Sequence, residues 1–154
     1  MGLIDYIKSF FVEEEKIFTA SQAEFDSIAC FAYCNAINCS YDKIKEHLAS
    51  ILSDTKSKLF LIVVELMHIS RNCELILLFA NNYNIKDDFE VSKMIQSLKQ
   101  EAFNLAIEIY NGQVKDPIVA LEEQLKRIDN REEDIKEFIR LIAESELKAG
   151  EHHE

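Results

Sequence analysis

An all-α fold is expected from three observations: scarce chain breakers, apolar residues at helical spacing, and start and stop signals between the apolar runs. The chain of 154 residues carries three glycines and one proline against 48% hydrophobic and 29% charged residues. Many strand-and-turn units would need more turn formers than that. A chain of this length can bury about two-thirds of its unfolded surface in one core without staples. The expected architecture is a single domain over residues 1–154, an antiparallel helical bundle of five to six helices with the last two long, around a central apolar helix at 56–82.

The first helix is expected over residues 3–18, with Leu3, Ile4, Ile7, Phe10, Phe11, Ile17 and Phe18 as apolar members. Phe10 and Phe11, just before Glu13, Glu14 and Glu15, are candidate partner-binding residues on an N-terminal arm (1–18) that must be tied down by the domain or by another protein. Ser21 and Glu24 have the spacing of a capping box, in which each side chain satisfies the other's free amide. The helix they open has Phe25, Ile28, Ala29, Ala32, Ala36 and Ile37 on one face, broadened by Phe31 and Cys34. A pause is expected near Asn38–Ser40, with Ser40 or Asp42 capping a short helix through Ile44, Leu48, Ile51 and Leu52.

Ser53, Asp54 and Thr55 cap the central helix, whose heart is LFLIVVELMHISRNCELILLFA from Leu59 to Ala80. Leu59, Ile62, Val63, Leu66, Ile69, Cys73, Ile76, Leu77 and Ala80 recur at three and four residues and share a face. Leu61, Val64, Met67, Leu75, Leu78 and Phe79 spread apolar surface onto the flanks. The helix is therefore expected to be the most buried of all, covered on several sides, and to fade at Asn81–Asn84.

Asp87 and Asp88 are expected to open the next helix, with Val91, Met94, Ile95, Leu98, Ala102, Leu105 and Ile109 on its apolar side and Gly112 as its stop. Asp116 and Pro117 restart the chain as N-cap and first helical residue. One helix of about 45 Å is expected from Pro117 to about Lys148. Its stripe is Leu121, Leu125, Ile128, Ile135, Ile139 and Ile142, interrupted by Glu132, and its solvated side holds Glu122, Glu123, Lys126, Arg127, Glu133, Asp134, Lys136 and Glu137. The short 112–117 link predicts that the last two helices are antiparallel neighbours packed on the central one. Residues 149–154, with His152 and His153, are expected to fray.

The formal net charge of −11, from 28 acidic and 17 basic residues, argues against nucleic acid and against anionic lipid, both of which need basic surfaces. Direct membrane insertion is not expected: the apolar runs Leu59–Val64 and Leu75–Ala80 fall short of about 20 residues, and Glu65, His68, Arg71 and Glu74 lie between them. The N-terminus carries an early acid and no long apolar core, so a cytoplasmic location is expected. Gly2 lacks the Ser or Thr that a myristoylation motif wants, since Tyr6 stands there. The four cysteines, Cys30, Cys34, Cys39 and Cys73, form no zinc-finger spacing and read as reduced thiols. No hydrolase elbow, phosphate loop or dinucleotide fingerprint is present, so neither an enzyme nor a cofactor is expected.

At Leu66-Met67-His68-Ile69-Ser70-Arg71-Asn72-Cys73-Glu74-Leu75-Ile76 the chain resembles the PhoU-like family, the phosphate-uptake regulators and the cytoplasmic tails of sodium/phosphate cotransporters. Leu66, Ile69, Ser70, Cys73, Glu74 and Ile76 match its helix motif. The similarity runs on through Asp88-Phe89, Ala106-Ile107-Glu108-Ile109-Tyr110, Asp116, Leu121-Glu122-Glu123 and Ile128-Asp129, about residues 59–145. The resemblance implies a diverged, shortened regulatory module that docks on a transporter or sensor, with homodimerisation a further expectation. Where the family's motif Glu and Asp bind metal through oxygen ligands, this chain has Met67 and Arg71, so the implied metal cluster is lost or moved.

A rival comes from Glu65 and His68, the carboxylate and imidazole at i and i+3 that ferritin-like di-iron bundles use. These are the candidate metal residues, and a partner motif is missing: Glu146 is followed at three residues by Ala149, while Glu24, Glu101 and Glu108 are out of frame. The bland reading of Glu65 and His68 is a polar strip at the edge of the core. The expected function is non-enzymatic binding of a protein partner, with a metal-binding bundle and a scaffold module as alternatives.

Overall fold

The computed structural model describes residues 2–8, 21–86, 90–129 and 131–148. Among them the chain is all-helical, with α1 (Leu3–Lys8), α2 (Gln22–Ala49), a 3-10 turn at Ile51–Ser53, α3 (Thr55–Ala80), α4 (Val91–Tyr110), α5 (Pro117–Asp129) and α6 (Glu132–Ala143). No helix is long and apolar enough to cross a membrane among the described residues. Phe10, Phe11, Asp87, Asp88, His152 and His153 lie outside them.

Local chemistry sets most of the helix ends. The Ser21 hydroxyl accepts from the Glu24 amide at 3.2 Å while the Glu24 carboxylate accepts from the Ser21 amide at 2.7 Å, so the capping box opens α2. Asp54 accepts from the Ser57 amide at 3.2 Å and opens α3. Gly112, at φ +68°, closes α4: its amide reaches the Ile109 carbonyl and the Gln113 amide that of Glu108, the paired bonds that satisfy a helix's last carbonyls. Asp116 accepts from the Val119 amide at 3.3 Å ahead of Pro117.

Three boundaries differ from the sequence reading. The pause at Asn38–Ser40 is absent; α2 runs through it. The Asn38 amide donates to Glu132 on α6 at 3.2 Å and Ser40 is buried, so tertiary partners override the turn preference of these residues. In place of one helix from Pro117, α5 ends at Asp129 and α6 begins at Glu132, so the last two helices are not both long. The Arg131 amide turns back to the Ile128 carbonyl at 2.9 Å, and Glu132, Glu133 and Asp134 then occupy the first turn of α6, where the helix dipole favours negative charge. α6 stops at Ala143 rather than Lys148. Beyond it Asn84 donates to the Glu146 carbonyl at 2.9 Å and Lys148 to that of Asn82 at 3.0 Å, around an antiparallel bridge between Tyr83 and Leu147.

α3 packs against α2 and α4, while α6 packs chiefly on α2 and more lightly on α4, not mainly on α3 as the sequence suggested. Ser27 donates to the Ile139 carbonyl at 2.9 Å, fixing α2 to α6. α5 is tied to α4 by Arg127 and Glu101 at 3.0 Å and to α2 by Lys45 and Asp129 at 3.9 Å. The shared core includes Ile44, Ile62, Leu66, Ile69, Ile76, Ile95, Leu121, Ile139 and Ile142, all fully buried.

Candidate functional site

Three polar or apolar groupings on this frame have chemistry to offer. The first is the pair Glu65 and His68. Glu65 is half-buried and His68 exposed on α3, because three residues along a helix turn His68 away from the buried line of Ile62, Leu66 and Ile69. The other carboxylates are spent elsewhere: Glu24 in the capping box, Glu101 on Arg127, and Glu108 and Glu146 in solvent. Among the described residues no three His, Cys, Asp or Glu side chains gather as a metal would require. The two candidate metal residues are thus placed on one helix without convergent partners.

The second grouping lies inside. Cys30, Cys34 and Cys73 are buried thiols and Cys39 is exposed. Burial, the largest cause in each case, pushes Cys30 up to about 12, Cys34 to about 11 and Cys73 to about 12. A protonated, enclosed thiol is a poor nucleophile, so these residues pack. Cys34 and Cys73 line a cavity of about 10 Å³ with Tyr41, Ile76, Ile95 and Ile135, room for about one water. Among the described residues the buried Tyr41 hydroxyl and Gln124 amide nitrogen have no hydrogen-bond partner. At one end of α2, the buried Asp26 accepts from Tyr83 at 2.5 Å and from Gln22 at 2.9 Å; burial and then the Asp26 bond hold the Tyr83 phenol far above its usual range. This linkage was missed in the sequence, where an aspartate 57 residues away from a tyrosine gives no local signal.

The third grouping faces outward. Phe60, Val64, Met67, Arg71, Glu74 and Leu78 follow one another at alternating steps of four and three residues, a single stripe on α3. It lies on the opposite side from Ile62, Ile69, Cys73 and Ile76. Phe60 is 60% exposed, Met67 40% and Leu78 55%. Neighbours cover α3 from α2, α4 and the 3-10 turn, as expected, but among the described residues the face opposite the buried one is open. α2 guards one flank, where Tyr33 and Phe79 rings meet at 5.9 Å. α4 guards the other. α3 and α4 pack together along their buried lines, Ile62, Leu66, Ile69, Cys73 and Ile76 on α3 and Val91, Ile95, Leu98, Ala102, Ala106 and Ile109 on α4. On α4, Phe103, Ile107 and Tyr110 recur at helical spacing and are exposed as well, whereas Glu101 bonds to Arg127 of α5.

Met67 and Arg71 both belong to the open stripe. The signal for this face was present in the sequence, since Phe60, Met67 and Leu78 recur at helical spacing. What the sequence lacked was the identity of the neighbours. The chain matches no family model, no curated protein and no solved structure.

Proposed function

We propose that this chain is a non-enzymatic binding protein, a diverged and shortened PhoU-like module accessory to phosphate or related ion transport, which docks its open apolar face on a membrane transporter or sensor. The single observation that carries the docking reading is the row of Phe60, Met67, Leu78, Phe103 and Ile107 left in solvent on α3 and α4. Scattered exposed apolar residues are ordinary, but aligned ones on adjoining helices mark interaction surfaces. In this reading α3 and α4 run antiparallel, joined by the link 81–90, so Phe60 and Tyr110 share one end of the face. The PhoU-like part rests on the match at Leu66, Ile69, Ser70, Cys73, Glu74 and Ile76, with Met67 and Arg71 converting a metal-binding face into one that meets protein.

The test is capture from detergent-solubilised membranes of the native host by the full chain, compared with a Phe103→Lys/Ile107→Lys variant. Recovery of an ion-transport component by the wild type, lost in the variant, supports the reading. Recovery of cytosolic assembly proteins alone would favour the scaffold alternative. Near-stoichiometric iron in protein purified without chelator, lost in Glu65→Ala, would favour the di-iron alternative.

A further inference from the structure

The α3 stripe is complementary to itself when turned end for end. Rotation about a point midway between Asn72 and Cys73 brings residue pairs summing to 145 opposite one another. Met67 then faces Leu78, and Arg71 faces Glu74. Because each pairing occurs twice, four layers form in the order Met67–Leu78, Arg71–Glu74, Glu74–Arg71, Leu78–Met67. They span about 17 Å at 1.5 Å per residue. Two apolar layers close the ends and two opposite-charge layers fill the middle.

We propose that the outer stripe of α3 is the contact for a second copy of this chain, an antiparallel two-fold helix pair held by reciprocal Arg71–Glu74 ion pairs between Met67–Leu78 layers. This goes beyond the docking reading: it gives Met67 and Leu78 to a second copy and leaves Phe60, Phe103 and Ile107 to the transport partner. A two-fold contact uses the same patch on both copies and must be self-complementary, and an alternation of four and three residues is the seam that lets two helices interdigitate. Charge selects the orientation. A parallel pairing would set Arg71 against Arg71 and Glu74 against Glu74, whereas the antiparallel one sets opposite charges together.

The two charged groups are free to serve. Both are exposed, and among the described residues neither takes part in an ion pair or side-chain hydrogen bond within the chain. Elsewhere Arg127, Arg131 and Arg140 each hold a carboxylate of their own chain. The stripe is also locally neutral on a chain of formal charge −11. Repulsion between two such chains is screened beyond about 8 Å at physiological salt, so the contact forms where no net charge opposes it. Phe60 lies beyond the last layer, and with Phe103, Ile107 and Tyr110 it stays available to a different partner.

The experiment is sedimentation equilibrium of the full chain at physiological salt with a reductant, for wild type, Arg71→Glu, Glu74→Arg and the double exchange Arg71→Glu/Glu74→Arg. The wild type is expected at twice the chain mass of 17.8 kDa. Each single exchange sets like charges together and is expected to weaken the dimer at least tenfold, and the double exchange to restore it. Both substituted positions are exposed, and unchanged helicity by circular dichroism verifies folding. A wild type that stays monomeric to 100 µM, a dimer indifferent to either single exchange, or a double exchange that fails to recover would each overturn the proposal. Loss of the dimer proposal with continued capture of a transport component would leave the docking reading intact, since that test uses Phe103 and Ile107.

Discussion

Three thiols enclosed in the core tie the stability of this fold to alkaline pH. An unfolded chain releases each cysteine proton near the ordinary value of 9.0, whereas the folded chain holds those of Cys30, Cys34 and Cys73 to about 12, 11 and 12. The folded pKa values are raised, so above about pH 9 the native state binds more protons than the unfolded state and stability falls as pH rises; below pH 9 the full stabilisation is present. At pH 9.5 the unfolded chain gains about 0.8 kcal/mol per thiol from ionisation, or about 2.5 kcal/mol for the three. Tyr41 and Tyr83, also raised, from an ordinary 10.0, add only about 0.2 kcal/mol each at that pH, so the thiols dominate. The assay is urea unfolding under reductant at pH 7.5 and 9.5, comparing wild type with the combined Cys30→Ala, Cys34→Ala and Cys73→Ala variant. The wild type is expected to lose about 2.5 kcal/mol more than the variant between the two pH values, and Cys39→Ala, at an exposed site, to behave as wild type. Should the combined variant not fold, each single replacement is expected to recover about 0.8 kcal/mol. Equal pH dependence in wild type and variants would refute the reasoning.

Further outcomes follow from the two faces of α3 and from its C-terminal link. Ile69→Ala, at a fully buried position, is expected to cost about 2–5 kcal/mol in chemical denaturation, whereas Phe60→Ala, on the open stripe beyond the dimer layers, should stay within about 0.5 kcal/mol; similar costs for both would place the core on the wrong face. Tyr83→Phe removes the buried bond to Asp26 and should cost about 1.5–3 kcal/mol, with faster hydrogen exchange at the Asn84 and Lys148 amides, which hold 82–84 to 146–148. Gly112→Ala meets nothing within 4 Å but must keep φ at +68°, so backbone strain alone predicts a loss of about 1–2 kcal/mol, measured as a lower Tm.

How far the fold could be read from the residues depended on the range of the interactions involved. Ser21 with Glu24, Asp54 with Ser57, Asp116 ahead of Pro117, and Gly112 act within one turn of chain, so sequence spacing identified each end correctly. The division into α5 and α6 escaped because Ile128 and Ile135 are seven residues apart, close to two full turns, and the apolar stripe keeps its phase whether or not the helix is interrupted. Glu132 at the position the stripe assigned to the core was the sole warning, and its carboxylate is committed to Asn38 and Lys136. Asn38 itself was read as a stop because its preference is for turns, yet a partner 94 residues away retains it in α2. The open face of α3 failed to emerge for a related reason. Periodicity ranks the faces of a helix by apolar content and finds the one most certain to be buried, but a second apolar face is silent about whether a neighbour inside the chain or outside it will cover it. α2 and α4 take the two flanks, and what remains is a stripe whose charges, Arg71 and Glu74, find no partner at home. An apolar row that merely completed a core would gain nothing from placing an arginine and a glutamate at its centre, since each would need a partner to be buried without penalty; a row that meets its own copy turned end for end supplies both.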